Sequence, residues 1–150
     1  GEHMLEVDLF SVAQKLAQSL EDLGMSIETH GDGLEVVVHN ADKDTLRKIM
    51  GNFSNFINPK HPEKGWGIRV GDTLWEVVVE EGIVRFVENY YYRMTTDEIL
   101  QSNIKEIHAM GKREMRRLLM ALVEKALRET PDMRRTICTI GYILESALED

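Results

Sequence analysis

One cysteine, three prolines and two tryptophans are all that 150 residues hold of those types. A lone Cys138 cannot close an internal disulfide, which excludes a bridge-stapled secreted scaffold and makes a reducing cytoplasm the expected compartment. Three prolines exclude a proline-rich linker or recognition tract. Basic residues are in deficit, 18 against 26 acidic, for a net charge of −8. Phosphate contacts dominate nucleic-acid binding, so general affinity for DNA or RNA is not expected. No apolar run approaches the ~20 residues of a membrane span, and no membrane association is expected. The N-terminus has no basic segment followed by an apolar core, so no secretory signal is read there. Gly1 to His3 read as a cloning remnant before a start at Met4 and carry no functional argument.

Sequence elements that mark catalysis are lacking too. Gly31-Asp32-Gly33 and Gly65-Trp66-Gly67 do not extend into a dinucleotide-binding or Walker pattern, and no G-x-S-x-G element exists. His30, His39, His61 and His108 are not spaced with one another, or with Cys138, as metal ligands. Cys138 has Ile137, Thr139 and Ile140 as neighbours and reads as a buried, inert thiol. No catalytic residue, metal set or cofactor is therefore expected, and an enzyme is not the expected reading.

What remains is an ordinary globular composition, 43% apolar and 29% charged. The charge is uneven. Residues 1–94 carry 9 basic and 16 acidic residues, whereas residues 95–150 carry 9 and 10. Leu9, Val12, Ala13, Leu16, Leu20 and Leu23 recur at helical spacing, with Asp8 to start the helix and Gly24 to stop it. Residues 25–30 and 34–39 flank a glycine-rich hairpin loop. Asn40 or Asp42 caps a short helix bearing Leu46, Ile49, Met50 and Phe53. Residues 52–65 hold three Asn, two Pro and a Gly and read as a loop, anchored by Phe56 and Ile57.

Residues 66–92 predict a three-stranded meander turning at Gly71-Asp72 and Glu81-Gly82. Two-residue turns set Trp66 opposite Val77, Ile68 opposite Trp75, Val77 opposite Phe86 and Val79 opposite Val84, all on the core face. Arg69, Leu74, Glu76, Val78, Arg85 and Val87 share the other, mixed face. The same register sets Glu88 beside Trp75, where a carboxylate would be desolvated. The favoured alternative is that the strand leaves the core there, with Glu88 at the rim. Tyr90, Tyr91 and Tyr92 end the strand, Tyr90 and Tyr92 on the tryptophan face.

The last third is helical. Thr95 and Glu98 have capping-box spacing. Leu100, Ile104, Ile107, Met115, Leu118, Leu122 and Ala126 follow one face, and Gly111 is where a kink is expected. Thr130-Pro131 restarts a final helix carrying Met133, Ile137, Ile140, Leu144 and Leu148.

The expected fold is α+β: an antiparallel sheet of about five strands, a hairpin plus a meander, with helices on one face and a C-terminal helical hairpin. The expected division is residues 4–94 for the sheet domain and 95–150 for the hairpin, packed on the sheet or forming a dimer interface. A continuous helix over residues 96–130 would run ~50 Å, against a small-domain diameter of ~30 Å. Its apolar face then needs another cover, and a second copy closing a four-helix bundle supplies one.

The expected function is a non-enzymatic cytoplasmic interaction or regulatory protein acting as a homodimer. Leu118, Leu122, Ile137, Ile140 and Leu144 are its expected seam. Lys112, Arg113, Arg116 and Arg117, stacked in like-charge pairs, read as a solvated helix face or, as the partner-binding alternative, as the surface for an acidic protein. The alternative is a small-molecule sensor with a pocket at Trp66, Trp75, Glu88, Tyr90 and Tyr92.

Overall fold

Alternating apolar residues from residue 27 to residue 88 build one antiparallel sheet, and the helices that follow build a second unit. A computed structural model describes residues 13–30, 34–57, 66–99, 101 and 109–148, with backbone alone at 54–57 and 66. The chain divides into two compact units, residues 1–88 and residues 89–150.

The first unit is α+β. Helix α1 covers residues 13–22. The sheet holds β1 (Ile27–His30), β2 (Glu35–His39), β3 (Ser54–Ile57), β4 (Trp66–Val70), β5 (Thr73–Glu80) and β6 (Ile83–Glu88), with helix α2 (Lys43–Asn52) between β2 and β3. The strand order is β1-β2-β6-β5-β4-β3, all antiparallel. The meander has the expected register: Trp66 pairs with Val77, Ile68 with Trp75, Val77 with Phe86 and Val79 with Val84. Gly71 and Gly82 take positive φ (59° and 76°), which the two-residue turns require. Hairpin and meander join where β2 pairs with β6.

The sheet has six strands because residues 54–57, expected as loop, pair with β4. An edge strand needs only backbone partners on its neighbour, and Pro59 and Pro62 fall outside the four paired residues. The anchoring expected of Phe56 and Ile57 lies outside the described side chains, and the cap expected of Asp8 outside the described residues.

One face of the sheet is the core. Val36, Val38, Ile68, Trp75, Val77, Val84 and Phe86 cluster there with Ala13, Leu16 and Leu20 of α1 and Ile49 of α2. Both helices therefore cover the same face. Each such side chain removed from water is worth ~1.5 to 3 kcal/mol. Val79 shares the face but is 49% exposed, so the core ends before it.

Glu88 is a correction: it is buried, at 3% exposure, and not at a rim. Its backbone N–H donates to the Leu34 carbonyl at 2.9 Å and it pairs with Trp75, so β6 keeps its place in the sheet to its last residue. On the opposite face Arg85 bridges Glu35 at 2.7 Å and Glu80 at 3.4 Å.

Asp42, not Asn40, caps α2. Its carboxylate accepts from the Thr45 N–H at 2.9 Å, and the Asp42 N–H donates to Thr45 Oγ1 at 3.2 Å. Asp42→Ala is expected to cost ~1 kcal/mol, as loss of such a cap does. A denaturation midpoint unchanged from the parent would show that the cap contributes nothing.

The second unit begins with a 3-10 turn, Tyr90–Arg93. Residues 96–99 and 101 are helical and belong to α3, and residue 109 is helical too; α4 (Lys112–Glu129), a 3-10 turn (Pro131–Met133) and α5 (Arg134–Ala147) follow. The capping box at α3 is formed: Glu98 N–H donates to Thr95 Oγ1 at 3.1 Å, and Thr95 N–H to Glu98 Oε1 at 3.2 Å. The chain is non-helical at Met110 and Gly111, so no continuous helix spans residues 96–130. Thr130 stands at the N-cap of the 3-10 turn with Pro131 next, as expected, but its side chain makes no cap bond there. Its hydroxyl donates back to the Ala126 carbonyl at 2.7 Å and closes α4, so α5 starts only at Arg134.

Candidate interaction surface

The two long helices of the second unit are amphipathic in different ways. On α4, positions 114, 118, 121, 125 and 128 share one side by helical spacing. Leu118 and Ala121 are buried there, and Glu114, Lys125 and Arg128 engage the tyrosine turn. On another side Val123 meets Gly141 of α5, where an added Cβ would sit 3.0 Å from Val123 Cγ2. A larger residue at 141 would oblige the Val123 side chain to give by a few tenths of an ångström. Arg116 crosses to Glu145 at 2.9 Å and ties the same two helices.

The tyrosines are not strand residues, which corrects the alternation expected of them. The 3-10 turn rotates them onto α4. Tyr90 and Tyr91 hydroxyls both donate to Glu114 Oε1 at 2.8 Å, with their rings 4.3 Å apart. Tyr92 lies under Lys125 Nζ, 5.4 Å from the ring centroid. Asn89 Nδ2 donates to the Arg117 carbonyl at 2.9 Å. Tyr91 and Tyr92 are buried, and Tyr90 is 40% exposed. Burial, then its bonds to Tyr90 and Glu114, raise the Tyr91 hydroxyl above its usual range and keep it a donor.

Burial pushes the Glu114 carboxyl up, but the Tyr91 and Tyr90 hydroxyls and the Arg117 and Arg113 guanidinium groups outweigh it, and the net direction is down. A carboxyl lowered on folding stabilises fully above its unfolded-state pKa and loses that contribution as pH falls through the folded one. The melting temperature of the parent should therefore fall more steeply than that of Glu114→Gln from the ordinary carboxylate range downward. Parallel curves would remove Glu114 from the stability of this unit.

The basic cluster is partly met from within. Arg116 pairs with Glu145, and Arg117 with Glu114 at 3.5 Å. Lys112 and Arg113 are exposed. Trp75 is fully buried core, its indole N–H donating to Thr73 Oγ1 at 3.0 Å. Glu88 is its cross-strand neighbour. Tyr90 and Tyr92 are engaged with α4, and the Trp66 side chain lies outside the described residues. Among the described residues no group of three or more His, Cys, Asp or Glu is disposed to hold a metal ion.

The expected seam divides. Leu118 is 4% exposed, buried by its own chain and closed to a partner. Leu122 and Ile137 are half-buried. Ile140 and Leu144 are 52% and 45% exposed, and they are joined by Met133 at 49% and Ile143 at 59%. Ile137, Ile140, Ile143 and Leu144 form one apolar stripe on α5 beside its contact with α4, and Met133 lies in the turn before it. Ile143 was not among the expected seam residues. Its signal is present in the sequence, since it lies three residues beyond Ile140, but Leu144 alone satisfies the simplest helical spacing. Cys138 is exposed, not buried, and lies on the other flank of α5 from the stripe.

Among the described residues no helix is long and apolar enough to cross a membrane. No family model, no curated protein and no solved structure matches this chain.

Proposed function

We propose that this protein is a non-enzymatic interaction or regulatory protein of the cytoplasm that works as a homodimer through its C-terminal helical hairpin. The observation that carries the reading is the α5 stripe: Ile140, Ile143 and Leu144, each close to half exposed, on one side of a single helix, with Met133 exposed in the turn before it. Contiguous apolar surface of this kind marks an interaction site in a folded protein. A second copy is the partner always present at the protein's own concentration. The net charge of −8 weighs against nucleic acid as the partner. The exposed Lys112 and Arg113 at the start of α4 are the place where an acidic protein surface would meet the dimer.

Sedimentation across a dilution series tests the reading. A mass near twice 17.2 kDa at micromolar concentration, falling to one chain on dilution, is expected. A single chain at every concentration rejects it.

A further inference from the structure

We infer that the β1–β2 edge of the sheet is a pH-sensitive clasp, in which two histidines grip Glu28 most firmly while they carry charge. The inference is independent of the homodimer reading above. Glu28 and His30 lie two residues apart on β1 and so share a face. His39 ends β2, and its N–H donates to the Ser26 carbonyl at 2.9 Å, which sets it diagonally across from Glu28. Three side chains therefore converge from two strands. Glu28 Oε2 is 2.9 Å from His39 Nε2 and 3.3 Å from His30 Nε2. One carboxylate oxygen meets two imidazole nitrogens.

The neighbouring strands offer Glu28 no other cation. His30 pairs across the strands with Glu35, and Glu35 takes Arg85 of β6 at 2.7 Å. Arg85 also reaches Glu80 of β5 at 3.4 Å. Beyond His39 the next position on β6 is Ile83, and beyond Val37 it is Arg85. Among the described residues at this end of the face, three acids therefore stand around one permanent cation, and two of them share it. The histidine pair is the counter-charge left for Glu28. Both imidazoles are close to half exposed, at 48% and 42%, so solvent pH reaches them directly.

The chemistry sets the direction. Histidine changes charge between about pH 5 and 8. As pH rises through that range Glu28 loses its counter-charges and keeps only what a neutral imidazole can donate. At the acid end the carboxyl itself is neutralised. The His39 hydrogen bond and the His30 charge hold it below the usual carboxylate range, so its contribution is full above its unfolded-state pKa and is lost as pH falls. The clasp is closed in mildly acidic solution and slackens on either side. Its consequence is local: β1 has four residues, ends the strand order and pairs with β2 alone among the described strands.

Amide hydrogen exchange of the intact protein reads this edge by itself. Protection is taken for amides paired between β1 and β2, relative to amides paired between β5 and β6, which report opening of the whole sheet. In the parent that ratio should fall ~2- to 5-fold from about pH 5.5 to about pH 8, the size expected of exposed ion pairs. In Glu28→Gln the fall should vanish. In the double variant His30→Gln with His39→Gln it should vanish too, and both variants change only exposed side chains, which a fold tolerates. A ratio in the parent that stays flat or rises over this range overturns the inference. So does a fall of the parent's size that persists in either variant.

Discussion

Trp75→Ala is expected to destabilise the sheet unit by ~3 to 5 kcal/mol, the range for truncating a large buried aromatic. Trp75 is fully buried on the core face, in one cluster with Ile68, Val77 and Phe86 and with the helix residues Leu16, Leu20 and Ile49. It also ends a small polar chain. Its indole N–H donates to Thr73 Oγ1, and that hydroxyl donates to the Val70 carbonyl at 2.6 Å. Alanine removes the volume and leaves a cavity walled by both helices and the sheet. Phenylalanine keeps most of the ring and loses the indole donor, so Trp75→Phe should cost less. Urea unfolding followed by circular dichroism separates the three proteins. A midpoint for the alanine variant equal to the parent's would mean that the core does not close on Trp75.

That residue also shows where sequence reading works and where it stops. Two-residue turns and strict alternation leave one register with both tryptophans on one face, and the meander adopts it. Glu88 departs from the pattern: a carboxylate ordinarily marks a strand that has left the core, yet Glu88 is buried. Backbone pairing to Leu34 holds Glu88 in place, and no side-chain pattern announces a backbone bond. Edge strand β3 escaped for the same reason. The tyrosine run misled in another way. Three tyrosines after a strand look like more strand, but Glu114, more than twenty residues away, draws two of their hydroxyls onto α4. Such partners are far apart in sequence and carry no periodicity. On α5 the apolar spacing was visible. What the spacing could not tell is which apolar positions the chain covers itself, as it does Leu118, and which it leaves exposed, as it does Ile140.

Ile140→Asp with Leu144→Asp should abolish self-association while the monomer keeps its fold. Both residues are about half exposed, so the chain itself gains little from them, and changes at such positions usually move stability by ~0.5 kcal/mol or less. In a dimer seam the same two positions would be covered. Two carboxylates per copy would then lie in apolar surroundings with no cation on the stripe to meet them, and an unpaired buried charge costs several kcal/mol. Each 1.4 kcal/mol is a tenfold loss of affinity, so several such charges take a micromolar association out of reach. The paired measurement is sedimentation together with thermal melting at a concentration where the parent is dimeric. Loss of the dimer with the helical signal retained is the expected result. The control is Cys138→Asp, on the other flank of α5, which should leave both readings as they are. If the double variant sediments like the parent, the stripe is not the seam. If Cys138→Asp dissociates the dimer as well, the contact lies on the opposite flank of α5.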